Sequence, residues 1–174
     1  MTDPAVRAER VQAELARLGE IAAGILDGEE VKAIITDRAM YYIANPDPQF
    51  RYLSGDYFDV DHGLFLRTKK LLLRIARLGK VQVDTSVWVP VPGTGAVTVA
   101  VQNGVHHRYY RFGQIKLDTP PEMREAFQTG EVRTLGPDAR GWVTALAPVR
   151  DSLGEVVAVA ELTAPLGGPP PAWS

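Results

Sequence analysis

The sequence predicts an α+β fold, a long N-terminal helix leading into an antiparallel sheet, and three observations carry that reading. Ala8, Val11, Leu15, Leu18, Ala22 and Ile25 recur at alternating steps of three and four, the spacing of one helix face. Val81 to Val91 and Ala96 to Val105 are rich in Val and Thr and flank the turn residues Pro92-Gly93-Thr94-Gly95, the pattern of a β-hairpin. Gly141 to Arg150 and Glu155 to Thr163 repeat it around Asp151-Ser152-Leu153-Gly154.

Composition bounds the class. A chain of 174 residues suits one domain, and 45% apolar with 23% charged residues is the balance of a folded globular protein. A formal net charge of −2 and a pI near 5.9 argue against nucleic acid or an anionic membrane as partner, since both select a positive surplus. With no cysteine, disulfides, thiolate metal sites and cysteine nucleophiles are excluded. The first thirty residues carry charges throughout, unlike a secretory signal. Val156 to Ala160 is among the longest apolar runs, far short of the ~20 residues that cross a bilayer. The expected location is therefore cytoplasmic.

Along the chain, Pro4 to Leu26 forms the first helix, supported by Arg10, Glu14 and Arg17 one turn apart. Its seam suits either a homodimer contact with a second copy or docking on the parent sheet, and spacing leaves both open. Asp27-Gly28 ends it, and Glu29 to Ile35 reads as a short second helix with acids in its first turn. Asn45-Pro46-Asp47-Pro48 enforces an extended stretch, because a residue preceding proline is pushed out of the α region. A loop follows through Asp61, with Asp56, Asp59 and Asp61 as loop and cap residues. Leu64 to Leu78 is then a helix stopped by Gly79. His106 to Ile115 reads as a further strand, and Pro120-Pro121-Glu122 opens a short helix through Phe127 that Thr129-Gly130 closes. The divisions expected are residues 1–27 for the helix, 28–164 for the main domain, and 165–174 for a flexible Pro/Gly-rich tail.

The closing half carries a resemblance. Glu125-Ala126-Phe127-Gln128-Thr129-Gly130, then Arg140-Gly141-Trp142, then Ala147-Pro148-Val149-Arg150-Asp151-Ser152-Leu153-Gly154-Glu155-Val156-Val157-Ala158-Val159 resembles the end of Cache domains, which are PAS-like small-molecule sensors. The order of elements upstream is similar too, although PAS and GAF relatives share the strand, turn, glycine and strand pattern. The resemblance implies a sensor of signal transduction that binds an organic acid or amino acid on its sheet, with a signalling partner of unknown identity. Cache domains usually lie outside the membrane between two spanning helices, so an excised extracytoplasmic domain is the alternative location. A ligand-free dimerisation module is the alternative function.

Chemistry concentrates in His106-His107-Arg108-Tyr109-Tyr110-Arg111. On a strand, His106, Arg108 and Tyr110 would share one face, where the guanidinium fork of Arg108 suits a carboxylate. Trp88, Arg108, Tyr110, Arg140 and Trp142 are the expected ligand-binding residues, against the plainer reading of core tryptophans and a solvated polar strand face. Adjacent histidines on a strand point apart, and Asp59-Val60-Asp61-His62-Gly63 fails as a calcium loop because Lys70 stands where its acid belongs. No metal and no cofactor are expected. Arg67, Lys69, Lys70, Arg74, Arg77 and Lys80 make the third helix basic, by default a solvated face. Without a nucleophile elbow, a phosphate loop or a carboxylate pair of telling spacing, no catalytic residue is expected and the chain does not read as an enzyme.

Overall fold

The computed structural model describes residues 4–49, 59–103, 115–116 and 119–167. Among the described residues, five helices and six strands follow in the order α1 (Pro4–Ile25), α2 (Gly28–Lys32), α3 (Asp37–Ala44), α4 (His62–Arg77), β1 (Asp84–Val91), β2 (Ala96–Asn103), β3 (Ile115–Lys116), α5 (Pro121–Thr129), β4 (Arg133–Leu135), β5 (Trp142–Arg150) and β6 (Val156–Pro165). The strands form one antiparallel sheet in the order β3-β2-β1-β6-β5-β4. The α+β expectation holds, with both hairpins in place and β6 carried back to the centre beside β1.

Strand alternation divides the sheet into two faces. One face presents Val87, Val89, Val143, Ala145, Ala147, Ala158, Ala160 and Leu162 to a core completed by α1 to α4. Alanine-lined strands let a helix approach closely, and a Cβ on Gly19 of α1 would crowd Val132 while only touching Ala147 and Ala145. Val11, Leu15, Leu18 and Ala22 all bury in this core, with Leu15 and Leu18 fully enclosed. The stripe whose partner spacing left open is thus filled by the chain's own sheet. At its end Leu26 buries instead of Ile25, which is 46% exposed because the helix stops there.

Side chains cap the helices where the sequence offers them. Asp27 accepts from the Glu29 and Glu30 N–H groups, Thr36 from Ala39, and Asp61 from Leu64. The second helix is shorter than expected, ending at Lys32, because Thr36 starts a separate one. That helix, α3, was absent from the sequence reading although Ala39 and Ile43 mark its buried side. The edge strand β4 was missed as well, being only three residues long. Pro148 pairs with Val159 of β6 without a register shift at its own position, and it lies beyond the end of β4, where Arg133 faces Leu146.

Gly28 sits where α2 meets the β5–β6 hairpin. A Cβ there would run into the Arg150 carbonyl and the Asp151 nitrogen. The contact is locked by side chains on both sides. Glu29 accepts from the Ser152 hydroxyl at 2.8 Å and its N–H at 3.3 Å, while Lys32 reaches Glu29 at 2.7 Å and Asp151 at 3.3 Å. Hydrogen bonds from Lys32 and then Ser152 hold the Glu29 carboxyl down at about 2. Burial opposes ionisation of Asp151, yet the Glu155 N–H, Lys32 and the Leu153 N–H outweigh it and leave that carboxyl lowered.

Candidate functional site

The opposite face of the sheet is split along its length. At one end Trp88, Val97, Val99, Leu146 and Val159 form a second core with Met123 and Ala126 of α5. A β-bulge on β2 accompanies it: Val99 faces Trp88 and Val101 faces Val87, leaving Ala100 as the extra residue. The bulge restores Gln102 to the Trp88 face, opposite Ser86.

At the other end the same face turns polar. Asp84 of β1 stands opposite Thr163 of β6, Ser86 opposite Glu161, and Thr163 in turn opposite Thr144 of β5. These five side chains are buried, with Asp84 at 4% exposed and Glu161 at 2%. Four of them make a square in which the two carboxylates occupy one diagonal and the two hydroxyls the other. Diagonal neighbours across an antiparallel pair lie roughly 7–8 Å apart. Trp142, partly exposed, begins β5 on this face, one alternation beyond Thr144.

Removing a carboxylate from water costs several kcal/mol unless charge and hydrogen bonds replace the solvent, on the order expected for buried ions generally. Asp84, Gln102 and Glu161 are each engaged by a partner, and two acids beside two hydroxyls gather acceptor oxygens of the kind that suit an ammonium group or another hydrogen-bond donor. Among the described residues no group of three or more acids and histidines is placed to hold a metal ion.

The expected ligand-binding residues fall in different places. Trp88 and Trp142 share this face, Trp88 fully buried at its apolar end and Trp142 at its polar end. Arg140 is exposed in the turn before β5, where Asp138 accepts from the Arg140 and Trp142 N–H groups. Arg108 and Tyr110, with His106 and His107, lie outside the described residues. β2 ends at Asn103 opposite Thr85, at the polar end of the face. Asp84, Ser86, Glu161 and Thr163 were missed by sequence reading. Their signal was present as alternate polar positions in each strand, Asp84 and Ser86 in β1 and Glu161 and Thr163 in β6, but Thr85 between the first two is polar as well and blurs the pattern.

No family model matches the chain, and no curated protein matches it. Solved structures similar to it include the GAF domain region of a Geobacter sulfurreducens PCA membrane protein, at 13% identity and TM-score 0.43, covering 59% of this chain and 76% of that one. The A. aeolicus nlh2 GAF domain aligns at 15% identity and TM-score 0.40 over 73% of this chain and 80% of its own. The ligand-binding domain of the Campylobacter jejuni chemoreceptor Tlp3, solved with L-norvaline, aligns at 12% identity and TM-score 0.39 over 95% of this chain and 63% of that one. None of these carries a function over to this chain. Among the described residues no helix is long and apolar enough to cross a membrane.

Proposed function

We propose that the chain is a PAS-like, Cache-type sensing domain that binds a small zwitterion, of the amino-acid class, on the polar end of its second sheet face. The observation that carries this reading is the buried square of Asp84, Ser86, Glu161 and Thr163 beside an otherwise apolar core. The carboxylate diagonal would take the ligand's ammonium group, with Trp142 flanking its side chain. Arg108 and Tyr110 are retained as the candidates for the ligand carboxylate. Arg108 lies five positions after Asn103, a reach of at most ~17 Å in extended chain, and Tyr110 two positions further, spans short enough to serve the polar end. An organic anion without an amine is the weaker choice here, because it lacks the donor group that these acceptor oxygens would take.

Signal would pass through the sheet. Strands β5 and β6 carry ligand-face residues at Thr144, Glu161 and Thr163, and alternate with Val143, Ala145, Ala160 and Leu162 under the helical layer. A ligand acts this way only if it binds two arrangements of α1 with different affinity. No catalytic step is assigned.

Thermal unfolding against a panel of amino acids, their decarboxylated amines and matching dicarboxylates tests the proposal. A binder present at 100 times its dissociation constant stabilises by about 2.7 kcal/mol, a shift of several degrees. Amino acids are expected to raise the melting temperature and dicarboxylates to leave it unchanged. A panel with no shift from any amine-bearing member would overturn the reading.

A further inference from the structure

The outer side of α1 carries a second, differently charged site. Its N-terminal half and the link from α4 to β1 enclose a cleft of about 490 Å³, lined by Arg7, Arg10, Val11, Glu14, Arg17 and Lys80. That volume lies in the range of small-molecule sites. Glu14 is the one acid among these lining residues, and it is already engaged: Arg17 donates to it at 2.8 and 3.1 Å and the Lys80 N–H at 2.9 Å. Arg17 also holds the Leu78 carbonyl at 2.9 Å, which fixes the wall of the cleft.

The lining therefore carries Arg7, Arg10, Arg17 and Lys80 against the single carboxylate of Glu14, a surplus of three positive charges. Arg7 and Arg10 stand one turn apart on α1, both exposed, and neither has a hydrogen bond or ion pair within the described residues. Lys80 adds its ammonium from the facing segment. The floor is Val11, only 5% exposed, with Val81 beside it. Guanidinium groups at helical spacing offer paired donors to tetrahedral oxyanions, and an apolar floor accommodates a ring.

We propose that this cleft binds a small polyanion bearing two or more phosphoryl groups, either free pyrophosphate or the diphosphate part of a nucleotide. The charge count favours this class over a monoanion, because a surplus of three positive charges matches a diphosphate. The site lies on the outer side of α1, apart from the sheet face proposed for the zwitterion, and its binding does not depend on that reading.

Isothermal titration of the full chain at low ionic strength with pyrophosphate, ADP, ATP, AMP and succinate tests it. Pyrophosphate, ADP and ATP are expected to bind, AMP and succinate at least tenfold more weakly. Arg7→Ala and Arg10→Ala should each weaken binding by roughly tenfold, in line with loss of a charged hydrogen bond. Arg124→Ala, exposed on α5, should leave affinity unchanged, and added salt should weaken it. ATP binding tenfold tighter than pyrophosphate supports a nucleotide on the Val11 floor, whereas equal affinities support the phosphoryl subsite alone. No heat with any diphosphate, or undiminished binding in the Arg7→Ala/Arg10→Ala double variant with its circular dichroism intact, overturns the proposal.

Discussion

Asp84 and Glu161 lie diagonally across the β1–β6 pair, with Ser86 and Thr163 on the other diagonal, and no member of the square is more than 4% exposed. Glu161→Gln preserves shape and removes one charge. The rise in melting temperature produced by amino acids, read against the variant's own ligand-free value, is expected to disappear. An unchanged ligand-induced rise in this variant would remove Glu161 from the site.

The two tryptophans of this face should report differently. Trp88 is fully enclosed between Val99, Val159 and α5, while Trp142 is partly exposed at the polar end. Trp142→Phe is therefore expected to abolish any ligand-dependent change in fluorescence, and Trp88→Phe to leave that change in place. Trp88→Ala should cost about 3–5 kcal/mol in urea unfolding, as for other large side chains removed from cores. A ligand signal that survives Trp142→Phe would place the ligand elsewhere.

Leu15 tests what the stripe on α1 does. It is completely buried against the chain's own sheet, so Leu15→Ala should lower stability by about 2–5 kcal/mol. Sedimentation of folded wild type and variant should give the same molecular mass. A dimer that dissociates in the variant without loss of protomer stability would contradict the packing described.

The α2–hairpin latch makes a prediction in pH. Glu29 titrates at about 2, below its ordinary 4.5, and Asp151 is also lowered from 3.8. Depressed carboxyl groups stabilise the fold above their unfolded values, and that contribution is lost as pH falls toward the folded ones. Stability should therefore decline from about pH 4.5 downward, the window set by Glu29. Carbon-13 titration of Lys32→Met should show the Glu29 carboxyl moving up toward its ordinary value. An ordinary Glu29 midpoint already in the wild type would refute the latch.

Gly28 carries a steric prediction beside that electrostatic one. Gly28→Ala should destabilise by about 1–3 kcal/mol, since its Cβ meets backbone rather than a flexible side chain. Gly24→Ala, with open space around its Cβ, serves as the comparison. Equal unfolding midpoints for the two variants would show that the hairpin yields at Gly28.

Local pattern determined the elements whose identity rests on neighbours in the chain. The period of Val11, Leu15, Leu18 and Ala22 fixed a helix, and Pro92 to Gly95 and Asp151 to Gly154 fixed two turns, because turn and helix geometry depend on adjacent backbone. Alternation likewise put Trp142 and Thr144 on one side of their strand. The short helix α3 escaped because eight residues display barely two turns of any period. Tertiary pairing decided the rest. Asp84 and Glu161 become neighbours only because β6 returns to lie beside β1, in a register set by nonlocal packing that no window of sequence contains. The same packing settled that the first helix spends its apolar stripe on the sheet, which leaves its charged side to form a cleft with Lys80.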